Sequence, residues 1–318
     1  MTPAAVTAEE VAGLIVAGRP AAIARGITLC EAGGARAEAL LAALPPRAAH
    51  VVGLTGSPGT GKSTLVSALV RLHRARGDRV GVVAVDPSSP LSGGALLGDR
   101  VRLDGVAGDT GVFFRSLASR GAAGGLSDAA RAAAHVLSAA GFDPVLLETV
   151  GAGQAEVRVM RVADTVVLAL APGAGDDVQA LKAGIMEIAD VFVLNKADQP
   201  GVAELRRHVR AMLLTRERVG WRPPVVETVA CRERGIEELA SALAAHRDEL
   251  AGGGGAVRIR AGARAEALRL ARSHFDAALE AEARDLADLD GDVSAVTDAA
   301  SRLARGAARR VLEGPLSR

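Results

Sequence analysis

A doubly wound, mostly parallel α/β sheet is the fold this sequence predicts, on two observations. Between His50 and about Leu250, short Val/Leu runs alternate with helical stretches. The runs are almost continuously apolar, as expected of strands covered on both faces and joined by crossover helices. Hydrophobic residues make up 49% of the 318-residue chain but aromatics only 2%. Almost all of the core must therefore be Ala, Val and Leu.

The first 45 residues read as two Ala-rich helices, with "GITLCEAGG" between or within them, ending at Pro45-Pro46. They form an N-terminal extension over 1–46. The strands of the central domain, 47–250, are "HVVGLTG", "RVGVVAVDP", "GVFFRSL", "PVLLETVG", "TVVLALAP", "VFVLNKAD" and "VVETVA". Helices of the type "KSTLVSALVRLHRARG", "SDAARAAAHVLSAAG", "DDVQALKAGIMEIA" and "VAELRRHVRAMLL" lie between them. "AGGGG" at 251–255 reads as a flexible hinge. The Arg-rich helices after it, roughly 257–284 and 293–312, are too short for a core of their own. Residues 251–318 are thus expected to pack on the main domain or, by preference, on a second subunit.

The net charge is +1 and the charges are dispersed, which argues against a nucleic-acid binder. Cys30 and Cys231 lie far apart without metal-ligand spacing, which suits a reducing compartment. No charged leader and no apolar run near membrane length is present. A cytoplasmic protein without a membrane segment is the expectation.

"GLTGSPGTGKSTLVSAL" matches G-x-x-x-x-G-K-[ST] from Gly56 to Ser63, with a strand before it and a helix after it. Gly56, Gly59 and Gly61 let the backbone turn its N–H groups inward around phosphate oxygens. Ser57, Pro58 and Thr60 complete the loop, and Thr64 continues the helix whose positive end faces the phosphates. Lys62 reaches the β- and γ-phosphates, and the Ser63 hydroxyl ligates Mg²⁺. Carboxylates at neighbouring strand ends should help hold the ion. The candidates are Asp86 in "VVAVDPSSP", Asp99 in "GGALLGDR" and Glu148 in "PVLLETVG". Glu148 opens an E-x-x-G pattern in which Gly151 would donate its N–H to the γ-phosphate.

The chain has one asparagine and three lysines against 35 arginines. That asparagine and one of the lysines stand together in "VLNKAD". Here Asn195, Lys196 and Asp198 arrive at the carboxyl edge of the sheet. Asp198 can accept two hydrogen bonds from guanine, which adenine cannot supply, a kind of discrimination worth as much as ~10⁴–10⁵. Asn195 can bridge base and loop, and the Lys196 stem can lie on the ring. "VVETVACRERGIEEL" supplies the second base loop through Val229, Ala230 and Cys231, with the Ala230 N–H on the base oxygen. Val229 stands where most GTPases have Ser. The third lysine, Lys182, lies with Asp176 and Gln179 in "LAPGAGDDVQALKAG", and Gln154 follows the sensor loop. Segment 171–184 is expected to swing toward the nucleotide, with Lys182 or Asp176 stabilising transition-state charge when a partner docks.

Together "TGSPGTGKST", "VAVDPSSPLSGGALLGDRVR", "FFRSLASRG", "LLETVGAGQAE" and "VLNKAD" closely resemble the methylmalonyl-CoA mutase-associated GTPases of the MeaB/ArgK type. These are P-loop metallochaperone GTPases marked by a glutamate at the position of Glu148. The resemblance covers essentially the whole chain. It implies a homodimeric GTPase using GTP/GDP and Mg²⁺, with the C-terminal helices as a dimerisation arm. Such a protein would gate adenosylcobalamin loading of a B12-dependent acyl-CoA mutase and protect that mutase, with its adenosyltransferase as a further partner. The family's Mg²⁺ and switch roles fall on Ser63, Asp86, Asp99 and Glu148, and the partner-responsive switch on about 171–184. Direct cobalamin binding is not expected, because no D-x-H-x-x-G pattern appears. Turnover is expected to be slow alone, ~10⁻⁴–10⁻² s⁻¹, with ~10³–10⁵ added by the partner. The alternatives are a nickel-insertion metallochaperone GTPase and a transport-associated ATPase or kinase.

Overall fold

The structure, a computed structural model, describes residues 7–86, 108–118, 126–149, 160, 162–173, 188–215 and 220–254. The chain divides into two compact units, Met1–Gly254 and Gly255–Arg318. All the described residues lie in the first. The expected C-terminal helices fall outside them, as does the expected helix over 176–189 apart from its last two residues.

Three helices open the unit: α1 (Ala8–Val16), α2 (Pro20–Ala32) and α3 (Ala35–Ala43). The sequence predicted two. Pro20 starts α2, and "GITLCEA" lies inside it rather than between helices. Gly33 and Gly34, at φ +70° and +83°, then end α2 and start α3 within two residues. So short a break is hard to see in an Ala-rich run. Thr7 and Glu10 form a reciprocal capping box at the start of α1.

The strands are β1 (Val51–Thr55), β2 (Val80–Asp86), β3 (Val112–Ala118), β4 (Val145–Thr149), β5 (Thr165–Leu170), β6 (Val191–Leu194) and β7 (Val225–Glu227). They form a seven-stranded sheet in the order β3-β2-β4-β1-β5-β6-β7, and every pairing is parallel. Around it lie α4 (Lys62–Ala75), α5 (Leu126–Ala139), α6 (Val202–Thr215) and α7 (Ile236–Glu249).

Successive strand residues enter opposite cores. Val83, Val85, Val145 and Leu147 pack with α1, α2, α3 and α5 on one face. Val80, Val82, Leu146 and Val167 pack with α4 and α7 on the other. A smaller cluster, including Phe192 and Val209, seats α6. The N-terminal helices thus share one core with the sheet. After α7 the chain makes a π-helical turn over Leu250–Gly254 where the glycines predicted a hinge. Residues without side chains can widen a helical turn without crowding. Among the described residues no helix is long and apolar enough to cross a membrane.

β1 lies between β4 and β5, in register Leu54↔Glu148 and Leu54↔Val167. From β1 the chain runs out to β2 and β3, returns at β4, and crosses to β5 on the other side. Ligands of doubly wound sheets bind at such a switch point, beyond the carboxyl ends of the strands.

Candidate nucleotide site

The loop from Gly56 to Gly61 leaves β1 at its carboxyl end and runs into α4, which starts at Lys62. Gly56 has φ +145°, and a Cβ there would stand 2.1 Å from the Ala169 carbonyl oxygen of β5. Gly61 has φ +88°, and its Cβ would meet Asn195 Nδ2 at 2.4 Å. Both positions require glycine, the first against backbone and the second against the base-end asparagine. Ser57 and Thr60 are buried, while Pro58, Gly59 and Thr64 are exposed. The Thr60 hydroxyl donates to the Ser57 carbonyl at 2.9 Å and ties the loop across itself.

Lys62 is buried at 6% exposure. Its Nζ donates to the carbonyl oxygens of Gly56 at 2.8 Å and Ser57 at 3.0 Å. The ammonium is therefore held within the loop, at the positive end of α4. Such a place suits phosphate oxygens.

The Ser63 hydroxyl donates to Glu148 Oε1. Glu148 is buried at 3% exposure near the end of β4. A serine from the first helical turn and a carboxylate from the next strand thus meet at the mouth of the loop. Hard oxygen donors of this kind suit Mg²⁺, which takes few protein ligands and fills its shell with water and phosphate. Asp86 is the last residue of β2, the neighbour of β4 in the sheet. Asp99, Gly151, Gln154, Asp176, Gln179 and Lys182 lie outside the described residues.

At the base end, Asn195 follows β6 and is buried at 3% exposure. Its Nδ2 donates to the Thr60 carbonyl at 2.8 Å. Its Oδ1 accepts from the Thr228 hydroxyl at 3.0 Å and from the Ala230 N–H at 3.2 Å. One amide therefore joins the phosphate loop to the second base loop. Lys196 takes the left-handed conformation, φ +56°. This turn follows the inward-facing asparagine and precedes Asp198, whose carboxylate is 33% exposed. The backbone laces the two loops, Thr228 N–H to Leu194 and Ala197 N–H to Thr228. Val229 and Ala230 are buried, and Cys231 is exposed in a short 3₁₀ turn, Ala230–Arg232.

Two residues of this end were not singled out from sequence. Thr228 orients the Asn195 amide. Arg232 Nη1 stands 3.7 Å from Asp198 Oδ2. Neither belongs to a spacing pattern. The only sequence signals are a hydroxyl at a strand end and a cation one residue past the base loop.

The remaining cysteine is structural. Cys30 is buried in the core beneath α2, and burial, with Glu31 nearby, pushes its thiol up to about 11. Among the described residues no group of three or more His, Cys, Asp or Glu converges as a metal site.

Residues 23–283 match the family described as methylmalonyl-CoA mutase-associated GTPase MeaB. A putative GTPase of Pyrococcus horikoshii is 48% identical over 71% of this chain and 73% of its own length. The mitochondrial methylmalonic aciduria type A homolog of Mus musculus is 36% identical over 71% of this chain and 59% of its own. Among solved structures, an LAO/AO transport system kinase superposes with TM-score 0.65 at 28% identity, covering 93% of this chain and 97% of that one.

Proposed function

The chain belongs to the MeaB family of methylmalonyl-CoA mutase-associated GTPases, and from that membership we propose that it serves a B12-dependent acyl-CoA mutase as a GTP-driven chaperone. It is a guanine-nucleotide-binding GTPase. In the proposed role, nucleotide state gates adenosylcobalamin loading and protects the mutase from inactivation. The protein works in the cytoplasm as a homodimer through residues 251–318, with the mutase's adenosyltransferase as a further partner.

The observation that carries the guanine-nucleotide part of this reading is the Asn195 amide, which links Thr60 of the phosphate loop to Ala230 of the base loop. It fixes the distance between a triphosphate grip and a guanine grip. Asp198 then accepts from the guanine ring N–H and amine, and the Ala230 N–H is placed for the base oxygen. Lys62, held among the loop carbonyls, exchanges them for β- and γ-phosphate oxygens and offsets their charge.

Ser63 and Glu148, with Asp86 and Asp99, would hold Mg²⁺, which supplies charge neutralisation at the phosphates. Glu148 accepts from the Ser63 hydroxyl and so sets the orientation of that side chain. Gly151 would follow the γ-phosphate. Lys182 or Asp176 would add its charge only when docking of the mutase swings segment 171–184 toward the nucleotide, so hydrolysis is slow without the partner.

The test is a pull-down from native lysate with GDP or a non-hydrolysable GTP analogue, followed by GTPase assays with the recovered subunit. A co-purifying acyl-CoA mutase that raises turnover by about 10³-fold or more is the expected result. A recovered mutase that leaves turnover unchanged ends the chaperone reading. Lys182→Ala should remove the stimulation while leaving GDP affinity intact. An unaltered stimulated rate excludes Lys182 from the reaction. The packed, alkaline-shifted Cys30 gives no support to a nickel-handling role.

A further inference from the structure

Among the described residues, the only two that take a left-handed backbone without being glycine are Lys196, φ +56°, and Glu233, φ +54°. One lies in each of the two loops at the base end. Such a backbone is unfavourable for a residue with a Cβ, and it persists where the surrounding contacts over-determine it. At Lys196 the reversal separates the inward-facing Asn195 from Asp198. At Glu233 the reason lies in the side chain.

Glu233 closes the 3₁₀ turn Ala230–Arg232, whose first N–H donates to Asn195. The Glu233 N–H donates to the Ala230 carbonyl at 3.2 Å, and the Val229 N–H donates to the Arg234 carbonyl at 2.9 Å. These bonds shut the loop. Gly235 follows with φ +79°, where a Cβ would stand 2.1 Å from the Glu227 carbonyl oxygen, so that position is open only to glycine. Glycine would also hold the left-handed backbone at 233 without strain, yet the residue there carries a carboxylate. That carboxylate accepts from Arg71 Nε at 2.6 Å, a short charge-assisted bond. Arg71 lies on α4, the helix that begins with Lys62 and Ser63, roughly two and a half turns beyond them. Arg76, just past the end of α4, pairs in the same way with Glu237 in the first turn of α7.

We propose that Arg71 and Glu233 are positioning residues for guanine recognition: the guanidinium holds Glu233 left-handed and so keeps the Ala230 N–H on the base oxygen. The proposal rests on the guanine reading of this loop. The Asn195 amide is the buried bridge between the phosphate and base ends, and the Arg71–Glu233 pair is an outer one, from the phosphate helix to the base turn. The two side chains are 35% and 59% exposed. An ion pair that open contributes little to overall stability. Its size is nevertheless of the same order as the left-handed penalty it offsets, which is enough to set how often the turn is closed.

The experiment titrates the full chain with GDP, 6-thio-GDP and inosine diphosphate. 6-thio-GDP keeps both donors for Asp198 but replaces the base oxygen with a bulkier, weaker-accepting sulfur. The GDP to 6-thio-GDP affinity ratio therefore reads the Ala230 N–H. Inosine diphosphate keeps the oxygen and lacks the amine, so the second ratio reads Asp198. The wild type should prefer GDP over each by about 3–10-fold. Arg71→Ala and Glu233→Ala should lower the first ratio by about two- to fivefold and leave the second in place. Glu233→Gly has no carboxylate but no strain to hold, so it should keep the wild-type first ratio, and keep it also when combined with Arg71→Ala. An unaltered first ratio in Arg71→Ala and Glu233→Ala overturns the proposal. So does an equal loss in Glu233→Gly, or a parallel fall of both ratios, which marks a general loosening of the site. A wild type that shows neither preference ends the guanine reading itself, and the proposal with it.

Discussion

Asp198 keeps its carboxylate in partial contact with solvent beside the long side chain of Arg232, and in the proposed reading guanine needs the same oxygens. Asp198→Ala removes two hydrogen bonds to an ionised acceptor, each worth about 1.5–3 kcal/mol. GDP affinity should fall about 10²–10⁴-fold in a fluorescent-GDP titration. Arg232 acts in the opposite sense. Its pairing with Asp198 is an exposed ion pair of about 0.2–1 kcal/mol that must yield when the base enters. Arg232→Ala should therefore tighten GDP by roughly two- to fivefold; an unchanged or weaker affinity would refute competition. The two residues also mark what could be read in advance. Asp198 lies in a pattern, N-K-x-D, whose spacing is set by one strand end. Arg232 and Thr228 reach that end from a strand more than thirty residues later, with freedom in both side chain and spacing. No local pattern records such a contact.

Strands were more legible than caps. All seven expected apolar runs appear as strands; β1, β4, β5 and β6 are buried at every position, and near-continuous Val and Leu suits burial on both faces. The third N-terminal helix was missed because it depends on two glycine backbones, not on a change of periodicity. The phosphate loop depends on the same backbone freedom but has a sequence signature, since its glycines sit at fixed distances from Lys62. Gly56→Ala would force a Cβ to 2.1 Å from the Ala169 carbonyl oxygen at φ +145°, and the obstacle is the backbone of a central strand. The cost should be about 3 kcal/mol or more, seen calorimetrically as a fall in Tm of roughly 6–12 °C. Gly59→Ala is the contrast. Its φ is +82° but nothing lies within 4 Å of the added Cβ. Only the left-handed penalty of about 1–2 kcal/mol applies. Equal losses at the two positions would show that the approach of β1 to β5 is not what demands Gly56.

The sheet has two chemically different rims. The carboxyl rim was legible because phosphate and guanine recognition impose spacing on short segments. The amino rim was not, because His50, Thr165, Asp190 and His246 are scattered over much of the chain and meet only when β1, β5, β6 and α7 pack together. Their consequence is a specific dependence of stability on acid. The His50 imidazole is held down to about 4 when folded and titrates near 6.5 when unfolded. The unfolded chain thus takes the proton first. The stabilisation is complete above about pH 6.5 and drains away as pH falls toward about 4, up to about 3 kcal/mol. Asp164 operates lower. Burial tends to raise its carboxyl, but the Arg47 hydrogen bonds and charge outweigh this and hold it below the ordinary value. Its contribution is therefore lost only beneath the ordinary carboxylate range. Urea midpoints measured between about pH 7.5 and pH 4 should fall in the wild type and stay level in His50→Gln until carboxylates begin to protonate. A wild-type decline matched by His50→Gln would instead place the acid sensitivity in the carboxylate–arginine pairs around it.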